Sequence, residues 1–254
     1  MSITKKDFPI LEYDSKQKAI LMPNRKNLYS FPKKAVFPFL NNEIYQYSKE
    51  NNCEQIGEFV TITKVFPIYK TIHNGIDLCL CQAPLGSSAA VQFLDFLISY
   101  GVKEIITIGC CGSLIDIPEN EFLIPTEALR DEGTSYHYLP PSRTVSLNQT
   151  AVNSIKSVLN KKGISYQLCK TWTTDGFYRE TIDMVNYRKE EGCTVVEMEC
   201  AGLAACAEFR NAIFGQILYT ADTLANFDIH DDRGWGKDSD AIALELALDA
   251  VCAI

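Results

Sequence analysis

Two glutamates flank a methionine in VVEMEC, Val195 to Cys200, at the end of an apolar run. An ionised carboxylate offers two acceptor oxygens for gripping hydroxyl groups, and a protonated one is a general acid. A third carboxyl, Asp222, closes the run AIFGQILYTAD, and a fourth, Glu43, stands in FLNNEI. From its neighbours Asp222 reads as the N-cap of a following helix, and Glu43 as an exposed residue in the first turn of a helix. Phe177, in TTDGFYRE, offers an aromatic face on which a flat ring can stack, or else a side chain packed into the core. GCCGS, Gly109 to Ser113, supplies a glycine-bounded turn. Metal-ligand spacing is absent: His73, His137 and His230 are far apart and there is no Cys-x-x-Cys pair.

These residues need elements to hold them, and the chain reads as an alternation. KAVFPF (Lys34 to Phe39), IDLCLCQ (Ile76 to Gln82), KEIITIG (Lys103 to Gly109), EFLIPT (Glu121 to Thr126), SYQLCK (Ser165 to Lys170), CTVVEME and AIFGQILYT (Ala212 to Thr220) read as strands. Several are almost continuously apolar, as expected when both faces of a sheet are covered. Between them SSAAVQFLDFLISYG, NQTAVNSIKSVLNKKG and the C-terminal DSDAIALELALDAVCAI carry helical patterns, the last with Asp238 or Ser239 as its expected N-cap. The alternation predicts an α/β fold, a single domain over residues 1–254 with a central, mostly parallel twisted sheet flanked by helices. In such sheets ligands bind outside the carboxyl ends of the strands. GCCGS, TTDGFYRE, EMEC and the Asp222 segment all fall at strand exits.

Bulk properties narrow the partner. A formal net charge of −8 and a sequence pI near 5.0 argue against a nucleic-acid footprint and for a small molecule. No stretch approaches the roughly 18 apolar residues of a membrane span, and the N-terminal segment has charges scattered through its apolar residues. The expectation is a cytoplasmic enzyme without a membrane or metal. The ten cysteines, mostly inside apolar runs such as DLCLCQ and AACAEF, read as reduced and buried.

Taken in order, TIGCCGS, RDEGTSYHYLPP, TTDGFYRE, VVEMECAGLAACAEF and YTAD resemble the nucleoside phosphorylase family, which includes purine nucleoside and uridine phosphorylases and the methylthioadenosine nucleosidases. The resemblance covers roughly residues 34–222. It implies that Met198 packs on a ribose face, that Glu199 accepts hydrogen bonds from the 2′ and 3′ hydroxyls, and that Phe177 stacks on the base. Gly109 and Cys110 would line the same nucleoside site. Glu197 would contact the base or be a solvent or ion-pair residue of the strand end. Asp222 matches the aspartate with which purine-cleaving members protonate N7. Thr181 and Asp183 stand where uridine phosphorylases carry the glutamine and arginine that read uracil, which favours purine.

The acceptor end departs from the family pattern. Phosphorylases carry a Gly-Asp-Pro turn after the first strand, absent here, and an arginine at the position of Thr107. Lys64 resembles the basic residue that a neighbouring subunit contributes, and Arg130 or Arg143 are candidate substitutes. The resemblance implies phosphorolysis of a purine nucleoside to base and ribose 1-phosphate, without a cofactor and with phosphate as co-substrate, in a homo-oligomer. The alternatives are a nucleosidase that activates water with Glu43, and a non-catalytic nucleoside-binding protein that kept the pocket.

Overall fold

A computed structural model describes residues 3–40, 42–226 and 231–254 of the chain; Asn41 of FLNNEI and His230 lie outside them. Lys34–Val36 (β1), Glu43–Glu50 (α1), Glu54–Val60 (β2), Val65–His73 (β3) and Ile76–Leu80 (β4) come first. Ser87–Ser99 (α2), Glu104–Ser113 (β5), Phe122–Asp131 (β6), Thr144–Ser146 (β7) and Gln149–Lys162 (α3) follow. Tyr166–Thr174 (β8), Ile182–Glu190 (α4), Val195–Glu197 (β9), Cys200–Phe209 (α5), Ile213–Thr223 (β10) and Lys237–Cys252 (α6) complete the chain.

The sheet closes on part of itself. β5, β10, β6, β8 and β9 form a ring in that order, because β9 returns to pair with β5. From β5 an arm of β1, β4, β3 and β2 extends to one side, and β7 pairs with β6. Pairing is parallel for β1–β4, β1–β5, β5–β10, β6–β8 and β8–β9. It is antiparallel for β2–β3, β3–β4, β5–β9, β6–β10 and β6–β7. The expected mostly parallel sheet is thus a mixed one: the arm is a meander, and closing the ring brings β6 against β10 and β9 against β5 in opposite sense.

The near-continuous apolar runs are explained by cover on both faces. β5 and β10 are buried almost throughout, with α2 packed on α5 and α3 packed on α6. Helix α5 is buried from Cys200 to Ala207, in keeping with its lack of a polar stripe. Helix α3 starts where Asn148 Oδ1 accepts from Thr150 N–H at 2.9 Å and stops at Gly163, which is left-handed with φ +68°. Helix α6 departs from expectation: its N-cap is Gly236, and Ser239 Oγ donates to Asn120 Oδ1 instead of capping. Beyond β1, Phe37 and Phe39 still donate to the carbonyls of Ile106 and Ile108, at 3.1 and 2.8 Å. That continuation carries Phe39 over the exit of β5.

Candidate active site

A cavity of about 180 Å³ opens between the exits of β5 and β10, the β9–α5 turn and the segments that follow β1, β4 and β8. Its floor is Gly109, Cys110, Cys111 and Gly112 of β5. A Cβ on Gly112 would lie 3.1 Å from Asp222 Oδ1 and 3.1 Å from Val196 Cγ1, so only a bare backbone admits the carboxyl this close. Asp222 belongs to β10, which runs on to Thr223, and among the described residues the next helix begins at Lys237. The N-cap reading of Asp222 is therefore excluded.

Two helix N-termini meet at the EMEC stretch. Met198 O accepts from Ser87 N–H at 3.0 Å and from Ser87 Oγ at 2.7 Å, which fastens the β9–α5 turn to the start of α2. Glu199, the N-cap residue of α5, accepts from Gly86 N–H at 2.6 Å. Helix N-termini favour negative charge, but burial and then the charge of Glu197 outweigh them. The Glu199 carboxyl is raised to about 8.

Glu197 has a different place from the one expected. Its Oε1 accepts from Thr171 Oγ1 at 3.2 Å and Thr173 Oγ1 at 2.6 Å. Its Oε2 accepts from the N–H groups of Glu199 at 2.7 Å and Cys200 at 2.6 Å. Four donors fill the acceptor capacity of a carboxylate, so Glu197, though it borders the cavity, spends its carboxyl on the protein and is not a solvent or ion-pair residue. It ties β8, β9 and the first turn of α5 together. Its carboxyl is raised by burial, against which those four hydrogen bonds act.

Around the carboxyls stand the remaining walls. Phe177 and Glu180 come from the segment after β8, Leu85 from the segment after β4, and Trp235 from the approach to α6. Phe177 is 41% exposed and meets Tyr178 edge-on at 5.0 Å, so it is not spent on the core. Met198 is half-buried on the same cavity. Cys110 is open to the cavity yet ringed by protein; burial, then the Asp222 and Glu199 carboxyls, push its thiol up to about 11.

The fold brings together Phe177, Glu197, Met198, Glu199, Gly109, Cys110 and Asp222, and leaves five other expected site residues off the cavity wall. Thr107 is fully buried within β5. Arg130 is buried and spends its guanidinium on Ser135 Oγ, Leu139 O, Pro140 O and Ser142 Oγ, stacking over Tyr136 at 4.3 Å. Arg143 is occupied by Glu191 at 2.5 Å. Lys64 is exposed at the β2–β3 turn, its ammonium 5.1 Å from the centre of the Phe66 ring. Glu43 is half-buried at the first position of α1, while Phe39 takes the cavity side of that connection.

Sequence reasoning missed Phe39, Leu85, Glu180, Gln216 and Trp235. For Gln216 a signal existed, a polar residue inside the apolar run AIFGQILYT. For Leu85 and Trp235, on segments outside helices and strands, there was none.

Among the described residues no helix is long and apolar enough to cross a membrane. A family described as the phosphorylase superfamily matches residues 35–252. The chain is similar to the guanosine phosphorylase of Halorubrum lacusprofundi, with 24% identity over 205 residues, 78% of this chain and 85% of that protein. Its fold is similar to that of an AMP nucleosidase from Bacteroides thetaiotaomicron, with a TM-score of 0.71 and 21% identity over 90% of this chain and 94% of the other. A uridine phosphorylase from Vibrio fischeri matches with a TM-score of 0.76 and 18% identity over 92% and 95%. At these identities the structural likeness is one of fold.

Proposed function

The chain belongs to the phosphorylase superfamily, and from that premise we propose that this cavity cleaves the N-glycosidic bond of a purine nucleoside. One observation carries the reading: the Asp222 and Glu199 carboxyls line a single cavity together with the half-exposed ring of Phe177. As the bond to C1′ breaks, its electron pair moves to the base, and a proton from Asp222 to purine N7 makes that base a better leaving group. Phe177 supplies the stacking face. Glu199 accepts from the ribose hydroxyls, with Met198 packed on the sugar. The carboxylates also stabilise the positive charge that develops on an oxocarbenium-like ribose.

Two acceptors complete the reaction. Phosphate yields ribose 1-phosphate, and phosphorolysis is what the name of the guanosine phosphorylase says of that relative. Water yields free ribose, and the wall of the cavity favours it: the described lining residues include Glu180, Glu197, Glu199 and Asp222 but no lysine, arginine or histidine. A dianion calls for cations as well as backbone amides. Neither route uses a cofactor. A cytoplasmic homo-oligomer, in which the exposed Lys64 of one copy approaches the site of another, belongs to the same reading.

The test is base release from a panel of purine and pyrimidine nucleosides. Purine nucleosides are expected to lead. Faster pyrimidine release would move the substrate class, and thermal stabilisation by a nucleoside without release of any base would make this a binding protein.

A further inference from the structure

Trp235 is one of two tryptophans in the chain, and it stands on the cavity wall 41% exposed, as does Phe177. The other, Trp172, is buried in β8 and donates from Nε1 to Asp131 Oδ2 at 2.9 Å. Trp235 lies in a turn ahead of α6. Its backbone is left-handed, with φ +59°, and so are those of Arg233 at +50° and Gly236 at +69°. For a bulky side chain that conformation costs free energy and persists only where the surroundings impose it. What imposes it here comes from the connection between β5 and β6.

Glu119, in that connection, offers one carboxylate oxygen to both amides that flank the indole. Its Oε1 accepts from Gly234 N–H at 2.7 Å and from Gly236 N–H at 3.0 Å. A Cβ on Gly234 would lie 3.0 Å from the same oxygen, and one on Gly236 would lie 2.8 Å from the Tyr219 ring. Both neighbours of Trp235 must therefore be bare for the turn to sit where it does. Arg233 reinforces the clamp by donating from its guanidinium to Ile117 O at 2.8 Å. Gly236 is the N-cap of α6, where negative charge is favourable, so helix capping accounts for the bond to its amide. The bond to Gly234 lies outside the helix and holds the turn that carries Trp235.

We propose that Glu119 is a positioning residue for the cavity: by clamping the amides on either side of Trp235 it fixes the indole as a second aromatic face for the nucleoside, in addition to Phe177. The proposal rests on the reading that this cavity takes a nucleoside. Glu119 is not itself on the cavity wall and acts through Trp235. A ring held in place before binding adds apolar contact without the cost of ordering that side chain when the ligand arrives. Release of the clamp therefore weakens binding more than it slows chemistry.

The experiment uses the full chain with adenosine, inosine and guanosine, and iodide quenching of tryptophan fluorescence, which reaches the exposed Trp235 and not the buried Trp172. At least one of the three nucleosides should shield Trp235 from iodide. In Glu119→Ala, shown folded by its melting curve, shielding should need about tenfold more nucleoside, and KM should rise about tenfold with a smaller change in kcat. Glu119→Gln keeps an oxygen for both amides and should retain most of the affinity. Should Glu119→Ala not fold, Glu119→Asp, one methylene short, carries the same expectation. Trp235→Ala should raise KM alike, and adding Glu119→Ala to it should raise KM no further. A lower melting temperature with unchanged KM and shielding makes Glu119 a helix cap alone and overturns the proposal. Additive effects of the two substitutions overturn the route through Trp235. Base release by nucleosides that leave Trp235 open to iodide overturns the proposal while leaving nucleoside cleavage intact. Shielding without release of base overturns cleavage and leaves the clamp standing, and neither shielding nor release overturns both.

Discussion

Glu197 and Glu199 are two residues apart, and the fold uses them in opposite ways. Glu197 receives four hydrogen bonds, from two threonines of β8 and two backbone amides at the head of α5. Glu199 accepts from Gly86 N–H and, like Glu197, borders the cavity that Asp222 also borders. A buried carboxylate whose oxygens are filled by protein donors organises the chain, whereas one with capacity left over is available to a ligand. Residue type does not distinguish the two. The side-chain donors that β8 brings to Glu197 alone do.

The contrast is sharpest in activity at Asp222. Asp222→Asn is expected to slow release of natural purines by about 10²- to 10⁴-fold, the usual span of general acid catalysis. Steady-state rates with a nucleoside carrying an activated leaving group should be nearly spared, since that group leaves without a proton. Equal slowing on both substrates would move Asp222 to the structural side of the comparison.

Glu199→Gln comes next. Above about pH 8, where the Glu199 carboxyl is ionised, loss of a charged acceptor for the ribose hydroxyls costs about 1.5–3 kcal/mol, a fall of about 10- to 150-fold in kcat/KM. The 2′-deoxy analogue should lose less, and parallel losses on the two sugars would show that Glu199 does not read them.

Glu197→Gln should invert the pattern. It leaves donors at the head of α5 poorly matched, at a cost of about 1–3 kcal/mol in unfolding free energy by denaturant titration. Nucleoside discrimination should change little in whatever fraction stays folded. A stable variant with altered substrate preference would erase the difference between the two glutamates.

A further effect is expected from pH. The Glu199 carboxyl is raised to about 8 by burial and the neighbouring Glu197 charge. Between the ordinary glutamate range near 4.5 and about 8, the folded chain holds a proton that the unfolded chain has lost. This contribution to stability is therefore complete at low pH and is lost as pH rises through about 8, by at most about 1.4 kcal/mol per unit. Melting temperature should fall across that window, and Glu199→Gln should flatten the fall. Affinity for a ribonucleoside should move the other way, because the ionised carboxylate is the better acceptor. A melting temperature equally steep in the variant would assign the slope to Glu197, whose carboxyl burial also raises.

Much of the scaffold was legible along the chain. β5 and β10 declare themselves because burial on both faces selects apolar residues at every position. Helix α3 is bounded by an asparagine cap and a left-handed glycine whose roles follow from backbone geometry. β2 and β3 were not read, since β2 is largely exposed and Pro67 interrupts β3 where sequence reasoning expects a break. The short β7, and helices α1 and α4 with few buried residues, left equally little pattern.

For the site, the sequence by itself determined which carboxyls and which aromatic ring reach strand exits, because periodicity and apolar runs locate those exits. Tertiary structure alone decided how each group is employed. Arg130 was a candidate anion-binding residue until the 135–142 loop folded back on its guanidinium. Glu197 was a candidate base contact until β8 supplied its threonines. Gln216 interrupts an apolar run, but only the register of β5 and β10 sets it beside Thr107. Hydrogen-bond satisfaction is a property of neighbours in space, and the neighbours that satisfy or strand these groups come from strands and loops that local sequence cannot align.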